Sequence, residues 1–301
     1  MLKSKEKLRQ REINDLRIYL EVPESVEDDL VTIQDARMSG TCEWFSAKES
    51  YLEWVDFTPE APSVLWVTGR PAAGKSVLAG YAIGRLQEAN VKCSYLLFKY
   101  GDKSKSRLSA CLRSLAFQMA CSDTQVRNSL LEMMRDGLRF DSDNERTIWR
   151  RLFLCGIFPT QLPKHYWVID ALDECQNFAP LLDLMLGKLN ESTPLRILIT
   201  SRKTPELEDC FSRLGVHKAQ HEMVSSTDTL ADIKVLIEAK AKSVCLQNDD
   251  DRATLVEKFL EKSEGCFLWT VLVLSKLSNL YGEEEIKQAL EEIPRDMIPL
   301  Y

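Results

Sequence analysis

Apolar and polar positions alternate in two distinct patterns from residue 62 onward. Short runs of consecutive apolar residues predict buried strands, and the stretches between them carry the three-to-four-residue apolar spacing of amphipathic helices. The predicted strands are Val64–Thr68, Cys93–Phe98, Tyr166–Asp170, Arg196–Thr200 and Ala219–Val224. The predicted helices among them lie near residues 75–89, 104–120, 125–136, 145–157, 178–189 and 205–213. This order predicts a three-layer α/β/α fold with a five-stranded, mainly parallel sheet.

Both ends of the chain depart from that alternation. Strand signals stop near Ser226, and helices are predicted near residues 228–243, 251–263, 266–280 and 283–292. Residues 1–20 predict a charged helix, and residues 21–60 predict an irregular segment with one short helix whose aromatic residues pack in a core. We therefore expect an N-terminal helical or irregular segment over 1–60, an α/β domain over 61–225 and a small all-α domain over 226–301.

Composition excludes several classes of protein. Hydrophobic residues make up 45% and charged residues 28% of the chain, as in ordinary globular proteins. There is no apolar run of about 20 residues that would predict a membrane span. The net charge of −7 disfavours a nucleic-acid partner, and the basic stretch Lys99–Arg113 is better explained as solvated surface.

The cysteines and histidines do not predict a metal site. The nine cysteines include no C-x-x-C pair, and the histidines His217 and His221 flank or occupy a predicted strand. Reduced thiols in a cytoplasmic protein are the simplest interpretation.

The most informative motif is Gly69–Ser76, which fits the pattern G-x-x-x-x-G-K-[ST] between a predicted strand and a predicted helix. Backbone N–H groups in such a loop surround phosphate, and the helix dipole favours an anion there. The expected nucleotide contacts are Gly69, Arg70, Pro71, Ala72, Ala73, Gly74, Lys75, Ser76 and Val77. Lys75 would reach the β- and γ-phosphates, and Ser76 would hold Mg²⁺.

A second motif, Tyr166–Glu174, places acids at the end of another apolar strand. Ligands of parallel α/β sheets lie at the carboxyl ends of the strands, so Asp170 is expected to hold Mg²⁺. Asp173 or Glu174 could polarise the attacking water. Alternatively, both acids simply begin the next helix, where negative charge is favourable.

A third motif, Arg196–Arg202, again ends an apolar strand in polar residues. Thr200 or Ser201 could contact the γ-phosphate by a hydrogen bond. Arg202 could neutralise the charge that develops there during hydrolysis.

Together the three motifs resemble the NACHT branch of the STAND P-loop NTPases, in particular the NACHT modules of fungal NOD-like receptors. Gly40–Trp44 and Gly265–Trp269, followed by Leu272-Val273-Leu274, also fit that group, so the resemblance covers about residues 36–301. It implies that Asp170 acts on Mg²⁺, that Asp173 or Glu174 supports hydrolysis and that Arg202 approaches the γ-phosphate. It also implies a helical domain after the sheet.

The chain departs from the family pattern in three places. The loop carries Ala72-Ala73 where small, glycine-like residues are frequent, and alanine adopts positive φ less easily than glycine. Phe267 stands where related proteins often have a proline that contacts the base. Pro294–Tyr301 resembles the lead-in to a winged-helix region, so a fragment or an unusually short member is expected.

Three functions fit the motifs. The first is a signalling switch that binds ATP or GTP with Mg²⁺, hydrolyses it slowly and changes its assembly with other protein chains. The second is a protein-binding scaffold whose nucleotide site has no turnover. The third is a small-molecule kinase, which ranks last because the C-terminal helices carry acidic runs instead of an arginine-rich lid.

Overall fold

The computed structural model describes residues 2–23, 26–58, 60–140, 144–185, 193–214, 218–241, 249–277 and 288. Within these residues five strands form one sheet: β1 Val64–Thr68, β2 Lys92–Leu97, β3 His165–Asp170, β4 Leu195–Ser201 and β5 Ala219–Met223. The strand order is β2-β3-β4-β1-β5, and every neighbouring pair is parallel. The predicted α/β/α fold is confirmed, and each predicted strand differs from the observed one by no more than one residue at either end.

Helices surround the sheet and continue after it. Before β1 lie α1 Leu2–Tyr19, α2 Val26–Ala36, α3 Glu43–Ser46 and α4 Glu49–Val55. Within the α/β part lie α5 Lys75–Glu88, α6 Lys103–Ser106, α7 Leu108–Ser122, α8 Thr124–Arg135, α9 Glu145–Ile148, α10 Phe178–Met185 and α11 Pro205–Leu214. After β5 come α12 Ser226–Ala241, α13 Asp249–Ser263 and α14 Phe267–Leu277. None of the described helices is both long and apolar enough to cross a lipid bilayer.

Two predicted helices differ from the structure, and a third is not tested by it. The predicted helix 104–120 is two helices, α6 and α7, because Arg107 adopts an extended backbone between them. The predicted helix 145–157 begins as α9 and widens into a π-helix over Trp149–Ile157, where Trp149 stacks on Phe153 at a ring separation of 4.8 Å. The predicted helix 283–292 lies outside the described residues, apart from residue 288, and His217 is likewise not described.

The segment 21–60 is more helical than predicted, because α2 is a regular helix. Its first turn carries Glu27, Asp28 and Asp29, whose negative charges interact favourably with the positive end of the helix dipole. The helix packs closely on α5, where a Cβ atom at Gly80 would lie 2.6 Å from the Ile33 side chain. The apolar residues of α2 recur at helical spacing, which is the signal that could have predicted this helix, and tertiary packing of this kind stabilises it.

Alternating residues of the strands form two cores, one on each face of the sheet. Val64 and Trp66 contribute to the first core with α1, α7, α8 and the π-helix, whereas Leu65 and Val67 contribute to the second with α2 and α5. The aromatic residues Phe45, Tyr51 and Trp54 are buried in the second core, as the sequence predicted. These two cores hold the carboxyl ends of the strands in place.

The helices after β5 have a separate core. It contains Ile233 and Ile237 from α12, Phe259 from α13, and Trp269 and Val273 from α14. Apolar residues three or four positions apart on each helix form this core. Their mutual burial holds the three helices together beside the sheet.

Candidate phosphate-binding site

The Gly69–Ser76 motif forms the turn between β1 and α5. β1 lies between β4 and β5 in the sheet. Because the loop follows the end of β1, it lies at the carboxyl edge of the sheet. Gly74 has φ +78° directly before α5, a backbone conformation that side chains rarely adopt. The N–H groups of the first helical turn have no acceptor within the helix, so this end is suited to bind an anion.

Lys75, the first residue of α5, folds back over the loop. Its Nζ donates hydrogen bonds of 2.9 Å to the carbonyl oxygens of Gly69 and Arg70. An ammonium group has three donors, so a further acceptor can still be accommodated. Burial lowers the pKa of Lys75, while the nearby carboxylates Asp173 and Asp170 oppose that shift.

Asp170 lies at the end of β3 and is almost completely buried. The Thr200 hydroxyl donates a hydrogen bond to its carboxylate, and the Ser76 hydroxyl lies beside the same carboxylate. Burial raises the pKa of Asp170, and these hydroxyls together with the Lys75 charge oppose the increase. The structure thus brings together Ser76 and Asp170, the two residues predicted to hold Mg²⁺.

This donor set fits magnesium held together with phosphate. Among the described residues, no cluster of three or more His, Cys, Asp or Glu side chains could hold a metal alone. Mg²⁺ usually takes only one or two protein ligands and completes its shell with water and substrate phosphate oxygens. A buried carboxylate beside a serine hydroxyl and an ammonium group meets that requirement.

Thr200 and Ser201 end β4 with both side chains fully buried. Besides its bond to Asp170, the Thr200 hydroxyl accepts the Ala171 N–H at 3.1 Å. The Ser201 hydroxyl accepts the Trp66 indole N–H at 2.8 Å. Both hydroxyls therefore have partners within the protein, and a contact from either to a γ-phosphate stays a prediction.

Asp173, Glu174 and Arg202 meet at the same edge of the sheet. Asp173 accepts two hydrogen bonds from Arg202, one from its backbone N–H at 2.9 Å and one from Nε at 2.5 Å. Glu174 accepts the backbone N–H of Tyr100 at 2.7 Å. The hydrogen bond to Asp173 raises the pKa of Arg202, so its guanidinium stays charged.

A large cavity lies on the outer side of the loop. This strand-end cavity measures 680 Å³ and is lined by Gly69, Arg70 and Pro71 of the loop, Arg202 and Lys203 after β4, and Ser225 before α12. Its lining contains three cationic side chains and one acidic side chain, Glu264, a balance that favours an anionic occupant such as phosphate.

A smaller cavity of 220 Å³, the Asp232 cavity, lies on the inner side of the loop. The residue 36–44 segment, the start of α5 and the helices α12 and α14 form its walls. Phe267 closes one side, because its backbone N–H donates to the Ala72 carbonyl at 3.0 Å and its ring faces Gly74. Ala73 and Thr229 line both cavities.

Sequence reasoning did not identify Asp232 or Tyr100. Asp232 is a single acid within the apolar stretch of α12, which is the one signal that could have marked it. Within the basic stretch Lys99–Arg113, Lys105 pairs with Asp29 and Arg113 with Glu21. Both cations are neutralised within the chain, and Arg113 is buried, so the prediction of a solvated surface is wrong at that residue.

Comparison with solved structures yields distant likenesses. The chain is 17% identical to a chain of Drosophila ORC bound to DNA, with a TM-score of 0.38, covering 79% of this chain and 59% of that one. It is 8% identical to a DNA replication initiation factor, with a TM-score of 0.37, covering 87% of each chain. For C. elegans PCH-2 the identity is 14% and the TM-score 0.40, covering 87% of this chain and 70% of that one.

The family comparison is more direct, although no curated protein sequence matches the chain. Residues 40–202 match the family described as Nephrocystin 3, N-terminal. The match begins at Gly40 and ends at Arg202, so it spans all three motifs and confirms the resemblance to NACHT-type P-loop NTPases. Because it covers more than half of the 301 residues, the chain belongs to the Nephrocystin 3, N-terminal family.

Proposed function

We propose that the chain binds a nucleoside triphosphate with Mg²⁺ at the Gly69–Ser76 loop and hydrolyses it slowly. The observation that carries the proposal is the contact between Ser76, which follows the phosphate loop, and the buried Asp170 at the end of β3. Bound Mg²⁺ would neutralise charge on the phosphates. Ser76 and Asp170 are the protein groups that would hold it.

Other residues have distinct roles in this proposal. The loop N–H groups and Lys75 bind phosphate oxygens, and Arg202 stabilises negative charge on the terminal phosphate. Glu174 holds the attacking water as general base, because its carboxylate is only half-buried and keeps one oxygen beyond its bond to Tyr100. Thr200 positions Asp170, and Asp173 positions Arg202.

The output of hydrolysis is proposed to be conformational. α14 contacts the loop directly through the bond from Phe267 to Ala72, so a ligand in the loop changes the surroundings of the helical part. A switch needs such differential contacts between its two nucleotide states. We propose that the module acts as in fungal NOD-like receptors, with parts 1–60, 61–225 and 226–301, and that it assembles with other protein chains in the cytoplasm.

A second candidate is a scaffold that binds nucleotide without turnover. The observation that favours it is the pairing of Arg202 with Asp173, which neutralises part of the guanidinium charge before any phosphate binds. Phosphate release under single-turnover conditions separates the two functions. We expect release from the unmodified protein, at least about tenfold slower release from Glu174→Gln, and none from Lys75→Ala. Equal release by Glu174→Gln and the unmodified protein would remove Glu174 from the reaction, and no release from the unmodified protein would favour the scaffold.

A further inference from the structure

The two acids that follow β3 are held from opposite sides. β3 lies between β2 and β4 in the sheet. Arg202, directly after β4, donates to Asp173, whereas the backbone N–H of Tyr100, three residues after β2, donates to Oε2 of Glu174 at 2.7 Å. The proposed function uses the contact to Asp173 and leaves the contact from Tyr100 without a role.

Residues 99–102 form a turn of a defined type. The Asp102 N–H donates to the Lys99 carbonyl at 3.2 Å, Gly101 has φ +84°, and Tyr100 does not have positive φ. A positive φ at the third position alone is the mark of a type II turn, whose second residue has φ near −60°. Tyr100 occupies that second position, so the turn and the strand before it fix the direction of its N–H group.

Two further backbone hydrogen bonds join the chain after β2 to the turn after β3. The Phe98 N–H donates to the Asp170 carbonyl at 3.1 Å, and the Gln176 N–H donates to the Ser106 carbonyl at 3.1 Å. In both segments these bonds lie on either side of the Tyr100 contact. The donor that reaches the glutamate therefore belongs to a backbone that is anchored before and after it.

The Glu174 carboxylate needs an anchor of this kind, because its side chain is only half-buried. Ordering a free glutamate side chain costs up to about 2 kcal/mol, and a hydrogen bond from an N–H to a carboxylate is about twice as strong as a neutral one. Burial lowers the pKa of Lys75 and raises that of Asp170, and the Glu174 charge raises both. The anchored carboxylate thus lies within electrostatic reach of the phosphate loop.

We propose that the backbone N–H of Tyr100 positions Glu174 for hydrolysis by fixing Oε2, so that Oε1 is the oxygen that meets the attacking water. Tyr100 is thus a positioning residue that acts through its amide, since 84% of the residue is exposed. A reacting group displaced by about 1 Å can lose about 100-fold in rate. This inference rests on the proposed function, because Glu174 must act as the base.

Tyr100→Pro removes the donor and keeps the turn. Proline has no N–H group, and its fixed φ suits the second position of a type II turn. The substitution should therefore keep or slightly raise the melting temperature. We measure hydrolysis of ATP and of GTP with Mg²⁺. For the nucleotide that the unmodified protein hydrolyses, kcat should fall at least about tenfold while KM stays within about twofold, because the N–H contacts Glu174 and not the nucleotide.

Two comparisons assign this loss to the amide and to Glu174. Tyr100→Ala removes the ring but keeps the N–H group, so its kcat should fall by no more than about threefold. In a Glu174→Gln background, Tyr100→Pro should cause no further loss, since the effects of groups that act as one unit do not add.

Gly101→Ala disturbs the same donor without removing it. A Cβ atom at Gly101 would meet nothing within 4 Å, so the effect of the substitution comes from the positive φ alone. We expect a lower kcat with KM unchanged. Gly137→Ala is the matched control, because Gly137 has φ +72° with equally open space in the turn after α8, and its kcat should stay within about twofold. Equal kcat in the two alanine variants would overturn the inference even where Tyr100→Pro does not fold.

The outcomes separate this inference from the proposed function. Retained or increased kcat in folded Tyr100→Pro, with Glu174→Gln still slow, would overturn the positioning role and leave the proposed base standing. An equal loss in Tyr100→Ala, or a further loss from Tyr100→Pro in the Glu174→Gln background, would also overturn it. Unchanged hydrolysis by Glu174→Gln, or none by the unmodified protein, would overturn the positioning role and the proposed base together.

Discussion

Asp173 holds Arg202 through both of its carboxylate oxygens, with Nε donating to Oδ2 at 2.5 Å and the backbone N–H donating to Oδ1 at 2.9 Å. The acid is almost buried, whereas 55% of the arginine side chain is exposed. The pair joins the turn after β3 to the end of β4. A residue that sequence reasoning treats as a candidate base is therefore placed to orient an arginine.

Asp173→Asn should lower turnover by about tenfold or more while nucleotide affinity stays nearly constant, because Arg202 loses its orientation toward the terminal phosphate. If Asp173 acts only through Arg202, then Arg202→Ala and the double variant should be equally slow. Steady-state phosphate release is compared among the unmodified protein, the two single variants and the double variant. Asp209→Asn, which alters the exposed pair with Arg213 on α11, serves as the control. Multiplicative losses in the double variant would show that Asp173 has a role of its own.

Ala72 adopts φ +58°, and Ala73 does not adopt positive φ. The left-handed conformation costs a non-glycine residue about 1–2 kcal/mol, and glycine adds about 0.5–1 kcal/mol of entropic cost elsewhere. Ala72→Gly should therefore raise the free energy of unfolding by roughly 0.5 kcal/mol. Ala73→Gly should lower it by about 0.5–1 kcal/mol. Urea unfolding measures both, and a stability gain from Ala73→Gly alone would refute the assigned loop conformation.

Thr200→Val tests the support of Asp170. The substitution keeps the shape but removes the hydroxyl that serves both Asp170 and the Ala171 N–H, so we expect a loss of about 2–3 kcal/mol in unfolding free energy. Thr270→Val is matched in burial and removes a single bond to the Cys266 carbonyl, with an expected loss of about 1 kcal/mol. Chemical denaturation compares the two. Equal losses would mean that Thr200 does not support the acid.

The buried His165 should make the folding stability of the protein sensitive to acid. Its Nε2 pairs with the Ser94 hydroxyl at 2.9 Å, its Nδ1 has no partner, and burial lowers its pKa from 6.5 to about 4. The nearby Lys92 charge adds to this shift and Asp123 opposes it. Between these two pKa values the unfolded chain binds more protons than the folded chain, so stability is complete above pH 6.5 and falls toward pH 4.

At pH 5 the expected loss relative to pH 7.5 is about 2 kcal/mol from His165 alone. His165→Gln should flatten the pH dependence of the unfolding free energy, whatever its effect on absolute stability. His221→Gln should keep most of it, because that imidazole is exposed and has a smaller share. A His165→Gln protein with the slope of the unmodified protein would assign the acid sensitivity to other groups.

The strands and the three motifs could be predicted because each is local in the sequence. Apolar runs define the strands, and the polar residue that follows each run necessarily lies at the edge where ligands bind. Gly69–Ser76, Asp170 and Thr200 therefore meet as expected. The helix α2 was missed although its apolar residues Val26, Leu30 and Ile33 have helical spacing, and its close packing at Gly80 is visible only in the structure.

The contacts between segments that are distant along the chain could not be predicted from the sequence either. Asp232 binds Cys42, which is 190 residues away along the chain, and Asp173 binds Arg202 across two strands. Such pairings depend on the order of strands and on the placement of α12, which local patterns do not encode. Three non-glycine residues with positive φ, Cys42, Ala72 and Ala171, also lie at this site. Strain of this kind persists where surrounding contacts hold it in place.

Direct titration of the purified chain with Mg²⁺ and a poorly hydrolysed triphosphate analogue tests the proposed site. We predict saturable binding at one site per chain, weakened at least about 100-fold in Lys75→Ala because the ammonium group no longer meets the phosphates. Arg85→Ala, whose guanidinium pairs with Glu88 at 2.9 Å near the end of α5, should bind within about threefold of the unmodified protein. No binding to the unmodified chain, or equal binding to Lys75→Ala, would contradict a nucleotide site at Gly69–Ser76.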